Sequence, residues 1–518
     1  MNNHVPVLIV GAGPTGLVLA LVLTRLGVRV RIVDKAEGPG TTSRALALQA
    51  RTLEFYRQLE LADTVIERGR VLEAANLWVK GKRVAHIPFG QIGKGESPFP
   101  FLLIYPQDEH ERLLIDRLQG MGVVVERRTA LLGFEDLGDR VVARLEGSDG
   151  AEESCEAEYI AGCDGAHSVV REKLQTEFSG GTYARLFYVA DVEASGSAMD
   201  GELHVALDDA DFLALFPLKG AGRARFIGTV EPEQEQRSES LGWRDVSTGV
   251  LSRMQLDVTH VNWFSTYRVH HRVASLFAKG RSFILGDAAH IHSPVGGQGM
   301  NTGIGDAMNL GWKLAGVLRN GAPASLLETY ESERIPFARS LVATTDRAFV
   351  VASSEGAIAS FVRANVVPGV ASALFGTTAM RRFIFRTVSQ TRINYHESKL
   401  SQGAAGGVRG GDRLPWAELE GEARDNFVSL RTLDWQLHIY GTPSAGVVEL
   451  CEARGLPCHV FPWGQSVEKA GFENGAAYLI RPDGYVALAD GTSSPARLGS
   501  YLDARLRGSA APVRNDEV

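Results

Sequence analysis

Near the N-terminus, Gly11-Ala12-Gly13-Pro14-Thr15-Gly16 separates the apolar run Val7-Leu8-Ile9-Val10 from a Leu- and Ala-rich stretch at residues 14–26 that ends at Gly27. A short continuous apolar run reads as a strand buried on both faces, and the following stretch as a helix with a glycine C-cap. Between them the glycines answer a specific demand. Gly11 permits the tight turn, Gly13 lets the backbone approach a pyrophosphate, and Gly16 lets helix pack on strand. The helix N-terminus adds unpaired N–H groups and the positive end of its dipole. A second strand, Val28-Arg29-Val30-Arg31-Ile32-Val33, ends at Asp34 and Lys35, where an acid can bind ribose hydroxyls. The glycine pattern alone is weak, but strand, helix, strand and acid together predict a dinucleotide site, with Pro14, Thr15 and Lys35 beside the glycines.

Glycine accounts for 57 of the 518 residues, above the usual share of about 7%, and its densest clusters fall at residues 11–16, 286–305 and 403–411. The length suggests roughly three to four domains. A net charge of −7 argues against nucleic acid or an anionic membrane as partner. No apolar stretch is long enough for a membrane span, and the first residues lack the basic start of a signal peptide. Four cysteines, Cys155, Cys163, Cys451 and Cys458, form neither a disulfide framework nor a zinc cluster, so no metal site and reduced thiols in a cytoplasmic protein are expected.

Helical character is expected at residues 52–61, 110–118, 302–318 and 346–397, with Pro368 as an interruption. Short runs between residues 186 and 230 read as an antiparallel sheet. The glycine-rich stretch 403–411 reads as a linker to a C-terminal block of its own.

Two further constellations carry chemistry. Cys163-Asp164-Gly165-Ala166-His167-Ser168 follows an apolar run and, by itself, is a turn signal. Gly286-Asp287-Ala288-Ala289-His290-Ile291-His292-Ser293-Pro294-Val295-Gly296-Gly297-Gln298-Gly299-Met300-Asn301 places an acid at a strand end, then a glycine loop, then a helix N-terminus. That order can hold a planar ligand against backbone, with the helix dipole favouring negative charge near Asn301. Asp287, His290 and His292 could instead suggest a metal, but the glycine loop is then unexplained.

In this order and spacing, the three constellations resemble the single-component FAD-dependent aromatic hydroxylases (class A flavoprotein monooxygenases). Ser43-Arg44-Ala45, Gln107 before Glu111-Arg112-Leu113, Gly280-Arg281, Asn309-Leu310-Gly311-Trp312-Lys313-Leu314 and residues 326–336 match as well. The resemblance implies that Gly11, Gly13 and Gly16 take the FAD pyrophosphate and Asp34 the adenosine ribose. Arg44 and Gln107 contact the phosphate and ribityl region, and Gly286-Asp287 the ribityl chain. Gly299, Met300 and Asn301 line the flavin's pyrimidine side, with Pro294 over the ring and Gly297 among the cofactor-binding residues of the loop. Asp164 lies near the pyrophosphate and the passing NADPH or NADH. Two departures stand out: Asp34 replaces the commoner glutamate, and His167 a frequent arginine.

The implied fold is α/β. A Rossmann-like FAD unit comprises residues 1–72, 98–178 and 280–345, and an antiparallel substrate unit residues 73–97 and 179–279. A helical connection spans 346–402 and a thioredoxin-like unit 403–518. Gly411-Asp412-Arg413-Leu414-Pro415 and Ile480-Arg481-Pro482-Asp483-Gly484-Tyr485 carry the last resemblance, though without the C-x-x-C dithiol that a redox role needs.

The implied activity is NAD(P)H- and O2-dependent hydroxylation of a phenolic, polycyclic polyketide-type aromatic, through oxygen bound at the flavin C4a. A small catabolic phenol, or Baeyer–Villiger-type or dehydrogenating chemistry, are the alternatives. Phe212, Leu213, Leu215 and Phe216 are apolar enough to wall an aromatic pocket. His204, Tyr188 and His270 lie in the same region, but none is singled out as a catalytic base. The apolar stretch 349–380 is compatible with a homodimer contact and equally with packing inside one chain.

Overall fold

The computed structural model describes residues 4–40, 45–90, 92–207, 212–230, 241–246, 249–292, 297–353, 377–420 and 425–505, with backbone alone for 345–353. Arg44 and Pro294, and residues 354–376 of the proposed dimer stretch, lie outside them.

Five parallel strands form the centre of the first sheet, in the order Ser282–Ile284, Glu152–Gly162, His4–Val10, Val30–Asp34 and Val125–Arg127. The strand His4–Val10 sits in the middle, and Val7, Leu8 and Ile9 are fully buried, as a continuous apolar run requires. Helix Pro14–Arg25 covers it and packs against the long helix Gly299–Arg319. Ala130–Asp136 and Val141–Glu146 add an antiparallel wing to this sheet.

The second sheet is mainly antiparallel. Its order runs His290–Ile291, Leu256–Ala274, Phe178–Gly196, Arg223–Thr229, Phe212–Pro217, Leu203–Leu207, Ala74–Val79 and Lys82–Pro88. Successive side chains in a strand point to opposite faces, and this divides the four apolar residues expected to wall a pocket. Leu213 and Leu215 join the outer core with Tyr188, Phe226 and Trp243. Phe212 packs with Phe187, Val269 and Tyr267, and Phe216 with Leu203 and Ile227, on the inner side. There Phe216 meets Leu46, Ala47, Leu72 and Ile104.

The C-terminal sheet has the order Val408–Arg409, Gln402–Ala405, Val486–Asp490, Ala477–Ile480, Gln436–Tyr440 and Cys458–Phe461. Gln436–Tyr440 and Cys458–Phe461 are parallel and joined by helix Ala445–Arg454, while the next two strands run antiparallel and lead to helix Pro495–Arg505. The expected glycine linker is corrected here. Residues 402–409 form a hairpin within this sheet, and a Cβ on Gly403 would lie 2.2 Å from the Ala489 carbonyl oxygen. Close backbone approach, and not chain flexibility, explains these glycines. The helix expected over 346–397 is also corrected. Glu328–Ser353 and Thr378–Val388 are helical, but residues 389–397 are turns and a bridge.

His110 is fully buried in helix Gln107–Gly120, its ring Nε2 bonded to the Tyr56 hydroxyl. Burial lowers its pKa to about 3. The ring therefore stays neutral in the fold, while the unfolded chain takes up a proton near pH 6.5. Its contribution is intact above that value and is lost as pH falls toward about 3, at about 1.4 kcal/mol per pH unit. His110→Gln should show a shallower loss of stability between about pH 6 and pH 4 than the parent in urea titrations. Parallel curves would refute this.

Candidate active site

The three sequence motifs begin where three adjacent parallel strands end. The pairing Val10↔Gly162↔Ile284 aligns these ends. Bridging bonds run from Gly11 N–H to Val33 O (2.8 Å), Cys163 N–H to Val10 O (2.7 Å) and Leu285 N–H to Gly162 O (2.9 Å). Ligands of open α/β sheets bind at this carboxyl edge.

The glycine loop is as tight as its sequence requires. Gly11 has φ +102°, and a Cβ there would lie 2.3 Å from the Cys163 carbonyl oxygen. At Gly16 a Cβ would come within 2.0 Å of the Gly11 carbonyl oxygen, whereas at Gly13 it would meet nothing within 4 Å among the described residues. Space is thus kept at the one glycine expected to approach phosphate. No side chain caps helix Pro14–Arg25, so its first N–H groups are available to an anion.

Asp34 departs from the expected geometry in one respect. Its Oδ2 accepts from Ala12 N–H at 2.6 Å and its Oδ1 from Ala36 N–H at 2.7 Å. The shorter acid therefore braces the glycine loop, and a ribose contact would share oxygens already in use. Lys35 is exposed beside it. Gln107 donates from Nε2 to Glu111 Oε1 (2.8 Å), and Glu111 Oε2 accepts from Gly40 N–H (2.9 Å).

Asp164 Oδ2 accepts from Val169 N–H (2.7 Å) and Val170 N–H (3.2 Å), but its Oδ1 is buried without a hydrogen-bond partner among the described residues. Burial raises this carboxyl above its ordinary range. A buried unpaired acceptor at a ligand edge suits a hydroxyl donor. Together with the open space at Gly13 and the uncapped helix, it shows that the residues present fit FAD.

In the third motif, Gly286 has φ +58°, and Cβ atoms at Gly286 and Gly303 would lie 2.7 and 2.2 Å from Thr15 Oγ1. Thr15 thus packs this motif onto the first. Asp287 is exposed between buried Gly286 and Ala288. Gly297, Gly299 and Met300 lie partly buried at the start of helix Gly299–Arg319. The Asn301 side chain is fully committed: Oδ1 accepts from Gln49 N–H (2.9 Å) and Thr52 Oγ1–H (2.6 Å), while Nδ2 donates to Ala47 O (2.8 Å) and Gly297 O (2.7 Å). Only its backbone remains to line a flavin.

Sequence reasoning missed the support beneath this loop. Buried Asp306 accepts from Gly286 N–H (3.0 Å), His290 Nε2–H (2.7 Å) and Arg334 Nε–H (2.6 Å). Burial pushes its carboxyl up, but Arg334 and His290 outweigh that and hold it below its usual value. His290 is thus an anchor for the loop. Among the described residues, no three His, Cys, Asp or Glu side chains could hold a metal together. The available signal was an acid inside a helix whose residues 301–316 are all buried.

Also missed was Arg225 on the inner face of the second sheet. It is buried and pairs with Asp191 through Nε (2.6 Å) and Nη2 (2.7 Å), and its Nη1 reaches Ala45 O (3.4 Å). His204 faces the outer core, opposite Leu215, between Trp78 Nε1 (2.9 Å) and Asp200 Oδ1 (2.8 Å). His270 bonds Thr182 Oγ1 (2.7 Å).

A Rossmann-type carboxyl edge with two more loops closing on it, beside a sheet with an aromatic inner face, defines an FAD-dependent oxidoreductase. Residues 4–345 match the profile of the family described as "FAD binding domain". The chain is 33% identical to 6-methylpretetramide 4-monooxygenase of Streptomyces rimosus, covering 96% of this chain and 93% of that protein. It is 29% identical to pentachlorophenol 4-monooxygenase of Sphingobium chlorophenolicum, covering 96% of each. Among solved structures, an anhydrotetracycline hydroxylase from Streptomyces rimosus superposes with a TM-score of 0.78 at 26% identity, covering 98% of this chain and all of that one. The chain belongs to the FAD-binding-domain family of flavin-dependent monooxygenases.

Proposed function

We propose that the chain uses NAD(P)H and O2 to hydroxylate a phenolic polycyclic aromatic of polyketide type. The observation that carries this reading is the inner sheet face, where Phe187, Phe212, Phe216 and Tyr267 share a face with the ion pair of buried Arg225 and half-buried Asp191. Aromatic side chains there offer stacking to a planar ring system. Similarity over nearly the full length to a pretetramide monooxygenase supports the polycyclic class. The pentachlorophenol relative keeps a small phenol as a second reading.

FAD would be held by the Gly11–Gly16 loop, Asp34, Asp164 and Asp287, and when bound it supplies the electron transfer and oxygen activation that no side chain can provide. The chain's own residues do the rest. Gly13 and the helix N-terminus receive phosphate, Thr15 and Asp306 fix the Gly286-Asp287 loop, and the apolar sheet face keeps water from the reacting ring. Arg44 and Pro294 belong to the same reading through the sequence resemblance alone.

We read the C-terminal unit as thioredoxin-like on its strand order. The turn Gly441-Thr442-Pro443-Ser444, where a dithiol of that fold would stand, holds no cysteine, so a structural role is favoured. No described helix is long and apolar enough to cross a membrane, and a cytoplasmic location follows from the thiol content as a reading of ours. A homodimer joined through residues 349–380 is the corresponding proposal for the assembly.

The test is aerobic NAD(P)H oxidation with a panel of phenolic polycycles and small phenols. Stimulation by polycycles, with one oxygen atom added to the ring, is expected. Stimulation only by small phenols would move the substrate class. Consumption that ends entirely in hydrogen peroxide with every aromatic would refute hydroxylation.

A further inference from the structure

A buried network of charged and polar side chains joins the region behind the Gly286-Asp287 loop to the C-terminal unit. Glu333 and Arg334 are neighbours in helix Glu328–Ser353, and both are buried. Glu333 is gripped by Arg481 through Nη1 (2.7 Å) and Nη2 (2.9 Å), by Lys313 Nζ (2.8 Å) and by Ser398 Oγ (2.6 Å). Arg481 in turn pairs with Asp483 through Nε (2.9 Å) and Nη2 (2.6 Å). Arg334 donates from Nε to Asp306 (2.6 Å), from Nη2 to Thr302 O (3.1 Å) and from Nη1 to the Tyr395 hydroxyl (3.0 Å). The Tyr395 ring lies 4.4 Å from the ring of Tyr485 and under the Arg481 guanidinium at 5.2 Å.

We propose that Tyr395 and Arg481 are positioning residues for FAD: the C-terminal unit braces the Gly286-Asp287 loop through Tyr395, Arg334 and Asp306. The physical reason is that every one of these groups is buried, so a missing partner cannot be replaced by water without movement. Removing the Tyr395 hydroxyl leaves Arg334 Nη1 without its acceptor. The guanidinium must then shift, and Asp306, which holds Gly286 N–H with its other oxygen, shifts with it. An appended unit without a redox dithiol thereby acquires a task in the flavin site.

Tyr395→Phe keeps the ring stack and removes one oxygen, so the fold is expected to survive. FAD binding, followed by flavin fluorescence on dilution, should weaken about tenfold, which equals about 1.4 kcal/mol. Arg481→Lys should weaken it in the same direction. Arg57→Ala is the comparison. It breaks a different tie between the same two parts, the Arg57–Asp425 pair at 2.8 Å, which shares no hydrogen bond with Gly286, Asp306, Arg334 or Tyr395. Its FAD affinity should stay within about twofold of the parent. An unchanged dissociation constant in Tyr395→Phe, or an equal loss in Arg57→Ala, would overturn the brace.

The proposal rests on FAD lying against Asp287, and Asp287→Ala measured alongside separates the two ideas. If Asp287→Ala loses FAD while Tyr395→Phe does not, the brace alone falls. If Asp287→Ala retains FAD, the placement falls and the brace with it.

Discussion

Gly16→Ala should yield a protein that cannot retain FAD and is itself destabilised, because the new Cβ would lie 2.0 Å from the Gly11 carbonyl oxygen. Both atoms are tied to backbone, so no side chain can swing away. Helix Pro14–Arg25 would have to lift from the strand it covers, and overpacking of a tight site costs about 1–3 kcal/mol or more. FAD affinity should fall by about a hundredfold, equal to about 2.7 kcal/mol. Gly13→Ala is the informative partner. A Cβ at Gly13 meets no atom of the described residues within 4 Å, so the thermal midpoint should be near that of the parent while FAD affinity still falls. Purification of both variants, flavin absorbance per polypeptide and thermal unfolding check this. A yellow Gly16→Ala protein of parental stability would refute the packing argument, and a fully loaded Gly13→Ala would remove phosphate from that space.

The second large effect is expected at Asp306. Asp306→Ala deprives Gly286 N–H, His290 Nε2–H and Arg334 Nε–H of their shared acceptor. Breaking a buried pair by removing one partner costs about 3–5 kcal/mol, since a charge is left buried and unpaired. Asp306→Asn keeps the shape and one acceptor oxygen but not the charge, and should fall between parent and Ala in both stability and FAD content. The sign with pH is fixed by the depressed carboxyl. Its stabilisation is present above the ordinary Asp value of about 3.9 and is lost as pH falls through the lower folded value. Urea unfolding of the three proteins, with flavin content measured on each, tests the ranking. Equal stability of Ala, Asn and parent would refute the role of Asp306 as the loop's anchor.

The three loops were legible in the chain, because each is a contiguous segment with its strand and helix attached. Gly11, Gly13 and Gly16 could be assigned distinct tasks before any coordinates, and their surroundings differ in the expected way. The supporting residues were not legible. Asp306 shows only as an acid in an apolar helix, and Arg225 only as one of many arginines. What makes them matter is a partner far away in sequence, Gly286 for the first and Asp191 for the second. The same limit explains the glycine-rich stretch near residue 403. Composition cannot distinguish a flexible linker from a hairpin whose glycines admit a neighbouring backbone, and the Ala489 carbonyl decides for the hairpin.

The sequence by itself determined that this chain builds a dinucleotide edge. Tight turn, buried strand and uncapped helix are local properties, dictated by sterics and backbone hydrogen bonding over a few residues. Tertiary structure alone decided that three loops, at residues 11, 163 and 286, meet along one edge, because strand register aligns Val10, Gly162 and Ile284 across the sheet. It also decided which side of the second sheet each apolar residue faces, since alternation assigns opposite faces but not which of them meets the cofactor unit. The brace from Arg481 to Gly286 belongs to the same category. Its hydrogen bonds join residues as far apart in sequence as Gly286, Asp306, Tyr395 and Arg481, and only packing brings such groups out of water and into each other's reach.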